Sequence, residues 1–465
     1  MSMLAPAMFA GLVVILLLGY PAAFSLAANG LLFALVGIKL GVFDWGLLQA
    51  LPNRILGIMA NQTLLAIPFF TFMGLILERS GMAEDLLISI GQLFGGVRGG
   101  MAYAVVLVGV LLAATTGVVA ASVIAMGLIS LPIMLRYGYN PRLAAGVIAA
   151  SGTLAQIIPP GLVLIVLADQ LGVPVGDMFR AAITPSLMLS GFYLLFIFVV
   201  TLIWPAAAPA LPLSERTLHG TALLRSALLA IMPPLLLMSL VLGSIFMGWA
   251  TPSEGGALGA VGALVLALAK RKLTLDITRQ ATERTLRLLS FVMFILIGST
   301  VFSLVFRGLN GDVWVEHLLT GLPGGTVGFL IVVNLFIFVL AFFLDFFEIA
   351  FIAIPLLAPV AQKLGIDLVW FGVLLGVNMQ TSFMHPPFGF SLFYLRSVAP
   401  KTMPSTDIYY GAIPFVLIQL LMVALVIAFP GLTGSVSHPA LNKGVINVPM
   451  DSDGYGDYYL PKEWR

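Results

Sequence analysis

The chain contains one module twice. PIMLRYGYNPRLAAGVIAASGTLAQIIPPG, starting at Pro132, and PVAQKLGIDLVWFGVLLGVNMQTSFMHPPFG, starting at Pro359, align at an offset of 227 residues. Pro132 falls on Pro359, Gly138 on Gly365, Ser151 on Asn378, and Pro159-Pro160 on Pro386-Pro387. With small slips the match extends outward, GDMFRAAITP resembling TDIYYGAIP, and Gly95-Gly96 resembling Gly324-Gly325. Each copy carries a proline pair inside an apolar segment, and because proline lacks an N–H and crowds the preceding turn a break is expected there. Irregular backbone survives at membrane depth only against protein or a wet cavity. Matched broken helices in two halves of a chain point to a transporter's binding site.

The bilayer is the solvent this composition requires. Hydrophobic residues make up 60% of the chain and charged residues 9%. Ten crossings are expected, at roughly 3–20, 22–42, 63–78, 143–168, 181–204, 226–248, 253–269, 286–306, 369–395 and 411–430. The first is read as a retained span, since no basic segment precedes it and it has a counterpart in the second copy. Cysteine is absent, which removes disulfides and thiolate chemistry, and the net charge of +2 gives no reason to expect a nucleic-acid partner. No Walker loop, metal-ligand cluster or Ser/His/Asp arrangement is present, so an enzyme is not expected.

Two further apolar stretches, about 99–136 and 326–364, are each interrupted near the middle, and each is read as a re-entrant hairpin of two half-length helices. The expected fold is therefore an all-α polytopic membrane protein with two repeats of five spans, each repeat carrying a hairpin and a broken helix. Residues 1–204 form the first repeat, 205–225 a cytoplasmic linker, 226–430 the second repeat and 431–465 an extramembrane tail. An odd number of spans inverts the second copy. With both termini outside, most basic residues fall inside, among them Arg79, Arg136, Arg142, Lys270, Arg271 and Lys272, as the positive-inside rule requires. Short interfacial helices are expected at 79–95 and 307–322, and an amphipathic helix running into a span from Lys270. The hairpins and broken helices are expected to travel together as the mobile body of an elevator, against a scaffold of residues 1–78 and 205–306.

Candidate ligands lie at the breaks. In the first half they are Thr115, Thr116, Gly117 and Ser122 of the hairpin, with Ser151, Gly152 and Thr153 before Pro159 and Pro160. In the second they are Asp345 and Glu348 of the hairpin, with Asn378, Gln380, Thr381 and Ser382 before Pro386 and Pro387. The residues just before each proline pair are expected to be unwound, their free carbonyls and hydroxyls suiting sodium, a hard monovalent cation. The opposing reading is that these side chains only repair a kinked backbone. Asp345 and Glu348 have the spacing of a capping box, which competes with a ligand role. His385 is read as a wall residue or as a titrating group.

At these residues the chain resembles the large membrane subunit of tripartite ATP-independent periplasmic (TRAP) transporters. GYNPRLAAGVIAASGTLAQIIPPG, GWATPSEGGALGA, LGIDLVWFGVLLGVNMQ and HPPFGFSLFYL carry the resemblance, over about residues 1–430. It departs at His385, where the family usually has threonine, and at Gln156 and Gly161 around the first proline pair. The resemblance implies sodium-coupled uptake of a small organic acid across a bacterial inner membrane. It implies a four-span small membrane subunit and a periplasmic substrate-binding protein as partners, sodium as coupling ion and no other cofactor. A higher-order dimer is left open. The alternatives are a self-sufficient dicarboxylate-type carrier, an intramembrane enzyme and a passive channel.

Overall fold

The computed structural model describes residues 3–117, 119–216 and 219–434. The side chains of Thr115 and Thr116 and the expected tail beyond Gly434 lie outside the described residues. Every regular element among the described residues is helical. The first half runs α1 (Leu4–Leu17), α2 (Ala22–Lys39), α3 (Gly46–Gln49), α4 (Leu51–Met59), α5 (Ala66–Arg79), α6 (Met82–Leu93), α7 (Gly100–Thr116), α8 (Val119–Arg136), α9 (Pro141–Thr153), α10 (Leu162–Leu171) and α11 (Val175–Ile203). The second runs α12 (Gly220–Phe246), α13 (Pro252–Ala269), α14 (Leu275–Gly308), α15 (Gly311–Thr320), α16 (Gly325–Leu340), α17 (Phe346–Ile352), α18 (Ile354–Lys363), α19 (Leu368–Ser382), α20 (Phe390–Val398) and α21 (Ser405–Ala428). Seven of these are long and apolar enough to cross a membrane unaided.

The repeat is visible in local detail. Gly138 and Gly365 both take left-handed backbone, with φ of 79° and 72°, in the turn before the broken helix. The next elements are capped by equivalent residues. Asn140 accepts from the Arg142 and Leu143 amides at the start of α9, and Asp367 accepts from the Trp370 amide at the start of α19. Such caps satisfy donors that a helix leaves unpaired in its first turn.

Packing exchanges equivalent helices between the halves. α2 packs on α14 while α5 packs on α13, and α9 packs on α21 while α19 packs on α11. An interface in which i meets j′ and j meets i′ is what a two-fold relation generates. The α9–α21 crossing is very close: a Cβ on Gly146 would lie 2.1 Å from the Gly411 carbonyl oxygen. Glycine at both positions lets the backbones meet, as small residues do in membrane helix pairs.

Both hairpins turn where the sequence is interrupted. α7 ends at Gly117, whose φ of 58° is available at no steric cost only to glycine. The second hairpin turns over residues 341–344 and restarts at α17. Two features differ from expectation. α8 is itself as long and apolar as a span, because the run from Val119 to Leu135 is uninterrupted, so that arm exceeds half-length. The return arm of the second hairpin is bent by 51° between α17 and α18. Pro355 causes the bend: it lacks the N–H that would reach the Phe351 carbonyl, and its ring crowds that oxygen. Ser299 Oγ donates to the Phe351 oxygen instead, at 2.5 Å.

The linker is shorter than expected, since α12 begins at Gly220, and it is not slack. Gly99 donates to the Ala208 carbonyl at 2.8 Å, Asn140 to Ala207 at 2.9 Å and Leu211 to Gly95 at 2.9 Å, strapping it across the base of the first hairpin. The expected helices before each hairpin are α6 and α15, and α14 is one unbroken helix of 34 residues.

Candidate functional site

The breaks lie later in the chain than the sequence reading placed them. Ser151, Gly152 and Thr153 are still helical, followed by one tight turn over Leu154–Gln156, and residues 157–161 are irregular. Asn378 through Ser382 are likewise helical, and the chain unwinds only over 383–389. The cause is the reach of proline. A missing N–H orphans the carbonyl four residues earlier and nothing upstream, so the ladder stays intact through Ile158, which donates to Leu154 at 3.0 Å.

The carbonyls that proline frees are therefore those of Ala155 and Gln156 in the first half and Ser382 and Phe383 in the second. Around Gly161 they converge: a Cβ there would lie 2.9 Å from the Ala155 oxygen, 3.1 Å from that of Ile158 and 3.3 Å from that of Gln156. In the second half the Phe383 oxygen is occupied, accepting from the Ser391 hydroxyl at 2.8 Å and the Ser391 amide at 3.1 Å. Thus the first break keeps a cluster of backbone oxygens and the second does not.

Most of the polar side chains before the breaks have local partners. Ser151 Oγ donates to Val147 at 2.7 Å and Thr381 Oγ1 to Val377 at 3.1 Å, the back-bonding expected of hydroxyls in a helix. Gly152 serves packing, since a Cβ there would sit 3.1 Å from the Val123 backbone of α8. Ser122, also on α8, is buried. Asn378 and Ser382 face the second hairpin. Asn378 Nδ2 donates to the Asn334 carbonyl at 2.8 Å, and Ser382 Oγ to that of Phe338 at 3.3 Å.

At the centre the two halves touch. Thr153 Oγ1 accepts from Gln380 Nε2 and from Gln419 Nε2, each at 3.3 Å, and Gln419 also donates to Tyr193 Oη at 2.7 Å. All four residues are fully buried. The Oε1 atoms of Gln380, Gln419 and Gln156 are buried without a partner. Gln419 and Tyr193 escaped the sequence reading. The available signal was a lone amide inside IPFVLIQLLMVALV, since a polar residue in a span faces the protein interior.

Asp345 and Glu348 form the capping box their spacing allows. The Asp345 amide donates to Glu348 Oε2 at 2.9 Å, and Asp345 Oδ1 accepts from the Phe346 amide at 2.7 Å. Neither joins an ion pair among the described residues. His385 stacks on Phe342, and its Nδ1 is buried without a partner. No group of three or more carboxylates or histidines is placed to hold a metal ion among the described residues.

Paired hairpins, paired broken helices and a buried polar junction between them define an all-helical, multi-pass membrane carrier. A family model described as "Tripartite ATP-independent periplasmic transporter, DctM component" matches residues 9–432, and the chain belongs to that family. It is 31% identical to the C4-dicarboxylate TRAP transporter large permease protein DctM of Pseudomonas aeruginosa, over 83% of this chain and 88% of that one. It is 26% identical to the sialic acid TRAP transporter large permease protein SiaM of Vibrio cholerae, over 90% and 95%. The fold is shared with the YdaH transporter of Alcanivorax borkumensis, whose topology is described as unusual, at a TM-score of 0.55 and 16% identity, covering 84% of this chain and 90% of that one.

Proposed function

We propose that this chain is the membrane subunit that carries a small organic anion into a bacterium, driven by sodium and supplied by a periplasmic binding protein. The observation that carries this reading is the cluster of backbone oxygens around Gly161. Freed carbonyls suit a hard, weakly charged cation, and they replace its hydration shell without a carboxylate. An anion is favoured at the positive end of the half-helix that starts beside them, α10. The resemblance to TRAP permeases supports a four-span small subunit as partner, a location in the inner membrane and both termini outside.

The hairpins with α9, α10, α11, α19, α20 and α21 act in this proposal as one moving body, and the inverted copies supply its two end states. Each half can adopt the conformation of the other. The test is uptake by the reconstituted complex under separate sodium and proton gradients. Uptake that follows the sodium gradient supports the proposal. Undiminished uptake with a proton gradient and no sodium sinks it, and uptake without a binding protein points to a self-sufficient carrier.

A further inference from the structure

A recess of about 200 Å³ lies between α1 and the second hairpin, and every residue lining it is apolar or aromatic. Phe9, Leu12 and Leu16 of α1 form one wall, and Val333, Phe336 and Leu340 of α16 form another. The return arm supplies the third. It bends by 51° at Pro355, and Ile352, Ala353, Leu356 and Leu357 line the recess on either side of that bend. α15, bent by 116° from α16, roofs it with Trp314, Val315 and Leu319. One side is open, where Val13, Leu318 and Val332 are 36%, 55% and 39% exposed.

Chemistry, shape and flanking residues agree on what fills it. A recess without polar partners holds no ordered water, and an apolar cavity of this size stays dry and takes up apolar molecules. Left empty, its walls forfeit their dispersion contacts. The open side, lined by aliphatic side chains of three helices, meets the hydrocarbon of the bilayer. On α16 the recess runs from Val332 to Leu340, about 12 Å of helix, and the hydrocarbon of one leaflet is about 15 Å deep. A helix with its side chains is about 10–12 Å wide, so a helical segment of that length would need several times the volume. Beyond the roofed end the surface turns polar. Glu316 of α15 pairs with Lys363 at the end of α18, and Trp314 is the residue type that sits at headgroup level. The recess thus runs from headgroup level towards the hairpin turn.

We infer that the recess binds one acyl chain of a phospholipid in the leaflet beside α15, its tip reaching the hairpin turn at Leu344, the residue before Asp345. The inference goes beyond the proposed uptake of an organic anion and does not depend on it. The bound chain completes the packing between α1 and the second hairpin, which the side chains alone leave unfilled.

The experiment reconstitutes the full-length chain, with any subunit that accompanies it, in phosphatidylcholine vesicles. A fraction of the lipid carries a photoreactive diazirine midway along one tail. Detergent washing strips loosely held lipid, and illumination followed by peptide mass spectrometry locates what is retained. Label is expected on the partly buried Phe9, Phe336 and Leu356 and is expected to be lost from Leu195, a residue of α11 outside the recess that is 55% exposed. Leu16→Trp, which fills the recess, and Val332→Phe, which narrows its mouth, are each expected to lose the label. Melting reports whether each variant folds, and exposed Val332 is the safer site. Label surviving equally at Leu195, absence of retained lipid, or unchanged labelling in both folded variants would each overturn the inference. So would label that appears only after an accompanying subunit is removed, because protein would then be what fills the recess.

Discussion

Gln380 donates to Thr153 across 227 residues of chain, and the two occupy the same position in the two copies of the module. Equivalent residues can touch only beside the axis that relates their copies. The contact therefore marks the pseudo-two-fold axis, and the buried polar junction sits on it. Gln419 of α21 and Tyr193 of α11, the last spans of the two halves, close the same junction. Polar residues there fix the register of two helices that would otherwise meet only through apolar surface.

Thr153 is the hub, accepting from two amides while its hydroxyl donates to Ala150 at 2.8 Å. Thr153→Ala leaves the buried Gln380 amide without its partner, while Gln419 keeps Tyr193, and is expected to cost about 1–3 kcal/mol. Thr153→Ser keeps the hydroxyl and is expected to recover most of the loss. Melting of the purified protein checks this, and equal damage from both substitutions would show that the methyl group, not the hydrogen bonds, is what matters.

Gly146 and Gly411 set the distance between α9 and α21. A methyl group on Gly146 would meet backbone and cannot be accommodated by a rotamer change. Gly146→Ala is expected to destabilise the protein by about 1–3 kcal/mol or more, as overpacking does. Gly57→Ala, where a Cβ meets nothing within 4 Å, is the control. Comparable melting of the two variants would mean that the helices can separate freely.

Much of this was legible in the sequence, and the reasons differ element by element. The proline pairs and the Gly138/Gly365 turns are local, so their signature survives in the sequence of each copy. The ten expected crossings each coincide with a helix or a broken helix pair. The extent of unwinding was misplaced because polar residues before the prolines looked like exposed ligands, whereas hydroxyls such as that of Ser151 bond back along their own helix. The bend at Pro355 was hidden in an apolar run that gives no polar break. The junction of Thr153, Tyr193, Gln380 and Gln419 depends on four separate helices meeting, and no local pattern encodes that.

Ser299 offers a test of how the second hairpin is held. Its hydroxyl replaces the donor that Pro355 removes from the Phe351 carbonyl. Ser299→Ala is expected to weaken this arrangement by about 1 kcal/mol, with hydrogen exchange rising first in the backbone of α17. Unchanged protection across Phe346–Ile352 would mean that the bend is held by packing alone.

The proposed division into moving body and scaffold makes the last prediction. α7 and α10 of the proposed mobile part pack against α5 of the scaffold, and α17 packs against α14. Outside the linker, which is bonded to the base of the first hairpin, few side-chain ties cross this boundary among the described residues. Asn61 Nδ2 donates to Asp169 Oδ1 at 2.7 Å, Arg180 donates to the Phe246 carbonyl, and Ser299 reaches Phe351. A boundary closed mainly by apolar surface can slide, whereas each polar tie holds one end state and must break for the body to move. The chain has no cysteine, so introduced pairs report without background. A disulfide between α5 and α7 is expected to abolish uptake and reduction to restore it. A disulfide between α9 and α21, both inside the moving body, is expected to leave uptake unchanged. Full transport by protein crosslinked across α5 and α7, or equal loss from both pairs, would show that the body does not move as a unit.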